Sequence, residues 1–348
     1  MTQHPYKNLP DFCYWAKSVS SFPPGLIDPM TNNYHILKDD KISSMGSCFA
    51  QNIALNLKKS GLNYYITELP PSSLTEKEAL AENYTIYTAR YGNIYTVRQA
   101  LQLFNRAFNK FNPKHYWRLG VGYIDPFRPL ISKNSFNSVD ELFTEQEKHL
   151  ICVKKMFEET DWMVFTLGMT EAWQHADDGA VFPIAPSVHG GDYSDSSCNF
   201  INFKYEEVYK DLTKFILSAR EINPKIKFIL SVSPVALVAT YENQHVLMSN
   251  TYSKSVLRIA AETVSKEVPN VIYFPAFEII TSSFSRGRYL DANLRTVNQL
   301  GINHVMNIFH KHFLGGTSKK KIFLGSNQAE EIICDEDFII KSINNLKL

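Results

Sequence analysis

Four short apolar runs, at residues 42–45, 162–167, 227–232 and 271–274, constrain this chain more than anything else in it. Each is too short for a buried helix and too continuous for a strand with one wet face. They read as strands of a parallel sheet covered on both sides. Helical spacing of apolar residues fills the intervals, at Ile53/Leu57, Ala100/Phe104/Ala107/Phe108, Val208/Leu212/Phe215, Val256/Ile259/Ala260 and Val305/Ile308/Phe309. Strand alternating with helix predicts an α/β fold built on a doubly wound parallel sheet. Residues 64–67 form a weaker strand candidate.

The same pattern sets the organisation. Residues 1–40, rich in Pro, Asn and aromatics, read as an arm packed on the core. Residues 41–313 carry the α/β domain, with a helical insertion at about 68–150 after the first strand–helix unit. Residues 177–202, rich in Gly, Pro, Ser and Asp, read as a long surface loop. Residues 314–348 are an extension ending in a helix.

Composition narrows the function. A net charge of +1 with 44% hydrophobic residues excludes a disordered chain and a bulk nucleic-acid-binding surface. Five cysteines, scattered and odd in number, give neither a disulfide framework nor a zinc-ligand pattern. No apolar run reaches the roughly 18 residues of a membrane span, and the start of the chain lacks signal-peptide character. The expectation is a reduced, cytoplasmic protein with no metal site and no required cofactor.

Chemistry concentrates at Met45-Gly46-Ser47-Cys48-Phe49-Ala50, where the first strand gives way to a helix over 49–59. A strand, a glycine turn and a small nucleophile at a helix start form a device for presenting that nucleophile. The helix end offers unpaired N–H groups and favours negative charge. A thiol there tends towards the thiolate, so Cys48 is expected to be alkylated ahead of the other four cysteines.

Gly46-Ser47-Cys48-Phe49-Ala50 resembles the signature of the GSCFA family, within the SGNH/GDSL hydrolase-like superfamily. The similarity continues through His4-Pro5-Tyr6, Arg90-Tyr91-Gly92-Asn93, Asp125-Pro126-Phe127-Arg128 and Gly168-Met169-Thr170-Glu171-Ala172-Trp173. It extends to Ser231-Val232-Ser233-Pro234, Thr251-Tyr252-Ser253-Lys254 and His304-Val305-Met306. This resemblance implies a three-layer α/β/α fold with its site at the carboxyl ends of the strands. It puts Cys48 at the nucleophile position, with Ser47 as the alternative. The oxyanion hole would draw on the amide of Cys48, on Gly92 and on Thr170, which stands where the superfamily has Asn.

The superfamily's closing Asp-x-x-His falls on Asn293-Leu294-Arg295-Thr296, so neither member is present. Another imidazole would have to serve as base: His245, between the third strand and a helix at Thr251, or His304, about two turns into the last helix. Glu278 is a carboxylate to orient it, with Asp291 and Glu171 as further candidates. Asn93, Arg128, Glu171, Trp173 and Arg295 suit a glycan or an anionic group. Lys254 in Tyr252-Ser253-Lys254-Ser255 is similar to a Ser/Lys arrangement but is read as structural.

Two functions follow as expectations. One is acyl-ester chemistry on a carbohydrate-type substrate, as esterase or O-acyltransferase, through a covalent intermediate on Cys48. A thiol tilts this towards transfer from an acyl-CoA-type donor. The other is a non-catalytic glycan- or small-molecule-binding protein that has lost the Asp-x-x-His pair.

Overall fold

The computed structural model describes residues 4–195, 197–315 and 339 of the 348. The chain divides into two compact units, Lys38–Tyr273 with Glu330–Leu348, and Met1–Leu37 with Phe274–Ala329.

The larger unit is built on a parallel sheet of β1 (Ile42–Gly46), β4 (Trp162–Leu167), β8 (Lys227–Val232) and β9 (Val271–Tyr273), in the order β1-β4-β8-β9. All five residues of β1 and all six of β4 are buried, as a two-sided apolar sheet requires. Gly46 pairs with Thr166 and Leu167 with Val232, so three strand ends lie level. Tyr64 adds a single parallel bridge to Ile42, so the weak candidate at 64–67 forms no full strand.

The helices of this unit are α1 (Cys48–Lys59), α2 (Glu76–Ala81), α3 (Val97–Ala107), α4 (Val139–Glu159), α5 (Tyr205–Ile222) and α6 (Val246–Glu267). Apolar periodicity made them amphipathic, and aromatic rings lock several together. Phe215 of α5 meets Phe165 of β4 and Phe228 of β8 edge-on, at centroid distances of 5.7 and 5.9 Å. Phe157 of α4 meets Phe104 of α3 at 5.1 Å. Such pairs favour edge-to-face contact because ring faces are negative and edges positive.

The stretch read as a long loop is instead partly sheet. β5 (Glu171–His175) pairs antiparallel with β6 (Val181–Phe182) and with β7 (Cys198–Asn202). A small hairpin, β2 (Trp117–Leu119) with β3 (Gly122–Ile124), lies in the insertion. Neither ladder has a long apolar run; cross-strand partners, not the strands' own sequence, create them.

In the smaller unit, α7 (Ala276–Thr281) precedes α8 (Gln299–Phe313), and the N-terminal residues pair with the end of α8. The Tyr34 N–H donates to the His312 carbonyl, and the Tyr34 and Phe313 rings stack at 5.2 Å. The arm thus groups with the chain from Phe274 onward. The expected C-terminal helix lies almost wholly outside the described residues.

Gly46 shows how tightly β1 ends. Its φ is +138°, and a Cβ there would lie 2.3 Å from the Thr166 carbonyl oxygen. Gly46→Ala is therefore expected to lose about 3 kcal/mol of stability, measured by urea denaturation; an unchanged midpoint would refute this close approach.

Candidate active site at the strand ends

Ser47 is the N-cap of α1 and Cys48 its first residue, so the helix start falls where the sequence put it. Ser47, Cys48, Tyr95, Gly168, Met169, Ser233, Leu237 and Lys254 line one narrow cleft of ≈ 10 Å³, room for about one water molecule. Gly46, Leu167 and Val232 end the three adjacent strands, so the cleft sits at their carboxyl ends, as open α/β sheets place their sites.

Close packing holds it. The Gly168 and Met169 N–H groups both donate to the Tyr95 carbonyl at 3.0 Å. A Cβ on Gly168 would lie 2.9 Å from the Tyr95 carbonyl oxygen and 3.1 Å from the Ser47 Cβ, so glycine lets the chain leaving β4 pass this near the turn. The buried Lys254 ammonium donates to the Gly168 carbonyl at 2.6 Å. Its neighbour Ser253 accepts the Thr170 N–H at 3.0 Å. Ser47 Oγ is buried with no hydrogen-bond partner among the described residues. A buried hydroxyl without a partner is costly, which marks this as a place where stability is not the governing demand.

Its place inside a helix makes Lys254 read as structural from sequence alone. The missed signal is the face it shares: Ser249, Ser253 and Lys254 are all buried on α6, a polar stripe turned inward.

Other candidates lie elsewhere. His245 is exposed and caps α6, its Nδ1 accepting the Leu247 N–H at 3.2 Å; α6 starts at Val246, five residues before Thr251. It does not line the cleft. Thr170 is fully buried and gives its hydroxyl proton to Asn202 at 2.7 Å, so that donor is committed away from an oxyanion. Gly92 and Asn93 line a separate small pocket with Arg128. The Asn93 Oδ1 accepts from Gln51 and from Tyr87, both at 3.1 Å.

Arg128 corrects a further expectation. Its guanidinium, buried, bonds Asp125 at 2.7 Å, the Arg90 carbonyl at 3.1 Å and Glu145. The fork is spent on the protein itself. Glu68 joins this network through the Arg90 N–H and His149, both at 2.7 Å. Burial alone would raise the Glu68 carboxyl, but His149 and Arg128 hold it at about 2.

In the smaller unit, His304 uses both ring nitrogens, with Tyr289 at 2.7 Å and the Ile27 carbonyl at 2.8 Å. That is the bonding of a structural histidine. Glu278 is half-buried in the first turn of α7. In place of Asp-x-x-His, the Asn293 amide donates to Thr296 at 2.9 Å, and its Oδ1 accepts the Arg295 and Thr296 N–H groups. The residues close a turn on themselves.

Beside the cleft, and sharing Met169 with it, lies an open groove of ≈ 420 Å³ lined by Glu171, Trp173, Phe200 and Tyr241. Burial raises the Glu171 carboxyl above its usual range, against hydrogen bonds from Thr240 and the Tyr241 N–H. Glu171 and Trp173 thus share this groove, as Asn93 and Arg128 share the smaller pocket.

Cys48 is 7% exposed whereas Cys13 is exposed. In alkylation, access favours Cys13 while the helix start favours the Cys48 thiolate, so the two effects oppose each other. Cys334 lies outside the described residues.

With this geometry in view, comparison with protein families is decisive. The GSCFA family model matches residues 41–309. The chain belongs to the GSCFA family. Among curated proteins, none matches it. Of the Gly46–Ala50 signature, Ser47 and Cys48 line the cleft, so the family's namesake residues reach the candidate site. No helix among the described residues is long and apolar enough to cross a membrane.

Proposed function

We propose that this GSCFA protein performs SGNH-like acyl-ester chemistry, as an ester hydrolase or O-acyltransferase, with Cys48 as nucleophile, Ser47 as the alternative and Lys254 as base. The observation that carries the reading is the shared cleft of Ser47, Cys48 and Lys254 at the ends of three parallel strands. A neutral lysine amine can take a proton from a neighbouring nucleophile, and a thiol needs little help to ionise.

In the first step the Cys48 proton passes to neutral Lys254 and Sγ attacks the acyl carbonyl carbon. The new S–C bond forms as the C–O bond to the leaving group breaks, and Lys254 returns the proton to the departing oxygen. Water or a sugar hydroxyl then attacks the thioester carbon, giving its proton to Lys254; the C–S bond breaks and Lys254 passes that proton to Sγ, restoring the thiol. The start of α1 directs N–H groups to the carbonyl oxygen as charge develops.

The open groove supplies the remainder. Trp173 and Tyr241, with centroids 4.8 Å apart, offer aromatic surface to a sugar ring. Met169, flexible and shared by both cavities, is the side chain that must move for an acyl group to reach the cleft. An acyl-CoA-type donor and a reducing, cytoplasmic setting suit the thiol.

The engagement of His304 and the Asn293–Thr296 turn favour the competing reading, a glycan- or small-molecule-binding protein without catalysis. Incubation with p-nitrophenyl acetate, followed by mass spectrometry of the peptide holding residues 47 and 48, separates the two. Release of p-nitrophenol above the buffer rate with an acetyl group on Cys48 or Ser47 is expected; background release with no adduct there leaves the binding reading.

A further inference from the structure

Away from the cleft, folding brings His115 to two metal-ligating side chains, His175 and Asp178, that lie sixty and more residues further along the chain. His175 ends β5, Asp178 lies in the turn to β6, and His115 precedes β2. One ligand atom from each can be chosen so that all three lie within 4.8 Å of one another. The imidazoles face each other with centroids 4.2 Å apart. His115 Nε2 lies 2.7 Å from Asp178 Oδ2, while His175 Nδ1 stands 3.6 Å from Asp178 Oδ1. The second distance is too long for a hydrogen bond. One carboxylate therefore serves two rings and satisfies only the first.

The surroundings fix this arrangement. Gly179, with φ +74°, closes the turn between β5 and β6. The Ala180 N–H donates to Asp178 Oδ1 at 3.0 Å and orients the carboxylate. Gln102 of α3 clamps the turn from both ends, donating to the Gly179 carbonyl at 2.7 Å and accepting the Val181 N–H at 2.8 Å. Phe182 meets the His115 ring edge-on at 5.7 Å. Supporting contacts of this sort orient ligands before an ion arrives.

We propose that His115, His175 and Asp178 bind a divalent transition ion of the zinc class, with water in the fourth position. Two imidazole nitrogens and one carboxylate oxygen are the donors such ions prefer. Ligand bonds of about 2.0–2.2 Å draw the three atoms inward by small side-chain rotations, and His175 Nδ1 exchanges the long contact from the Asp177 N–H, 3.4 Å, for the ion. The side chains are 15 to 34% exposed, so an ion has a path in from solvent. Bound there, it ties the β5–β6 hairpin to the segment before β2. Ala172 and Trp173 of β5 line the open groove, so the ion stiffens one wall of it.

The test uses the full chain, stripped with chelator and titrated with zinc chloride by calorimetry, and with cobalt(II) by visible absorption. One equivalent is expected to bind, with tetrahedral cobalt absorption. His175→Ala and Asp178→Asn should each weaken it at least tenfold, whereas His189→Ala should not. In the unmutated protein, zinc should shift the imidazole NMR signals of His115 and His175 only, a readout independent of whether the variants fold. No binding, or equal binding by all variants, or shifts centred on other histidines, overturns the proposal.

Discussion

Replacing Lys254 by Met is expected to lower the rate of acyl transfer from p-nitrophenyl acetate by about 10² to 10⁴-fold, the usual contribution of a positioned base. Cys48→Ala should fall at least as far. The double variant should be hardly slower than the worse single one, because residues acting as a unit are strongly non-additive. Met keeps the length and burial of the lysine stem, so the packing of α6 should survive, while the bond to the Gly168 carbonyl is lost. A far-ultraviolet spectrum like the wild type's separates this from misfolding. If the Lys254 and Cys48 losses multiply in the double variant, the two groups do not share a step and the base lies elsewhere.

The other large effect concerns Arg128. Its removal as Arg128→Met leaves Asp125 buried without its ion pair and takes one partner from Glu145. Removing one partner of a buried ion pair costs about 3 to 5 kcal/mol. Chemical denaturation at pH 7 should show that loss, and a loss under about 1 kcal/mol, typical of exposed pairs, would mean the network is effectively solvated. The same network makes stability depend on acid. Glu68 has a folded pKa of about 2 against an ordinary 4.5. Its lowered value means its contribution is complete above pH 4.5 and is lost as the pH falls towards 2. In Glu68→Gln the wild type's loss over that window should be blunted.

How much of this could be read from sequence varies with how local the cause is. β4 and β8 fall where the apolar runs put them, since two-sided burial leaves no alternative composition. Cys48 stands at the helix start for a similarly local reason, a glycine turn followed by an amphipathic repeat. β5 and β7 were invisible, because Glu171-Ala172-Trp173-Gln174-His175 becomes a strand only through its partners. His245 looked like a loop residue since histidine is a poor announcer of a helix start, yet it caps α6. Arg128 advertised a ligand fork and found its anions within the chain. Lys254 needed the tertiary path from α6 to the Gly168 carbonyl, and His115 needed a hairpin that the sequence hid.

The lone hydroxyl of Ser47 has one more implication. Alanine at that position would remove an unsatisfied oxygen with little change of shape, so the hydroxyl adds nothing to durability. In a wall this closely packed it suits a demand made during turnover or ligand capture, when something polar arrives to meet it.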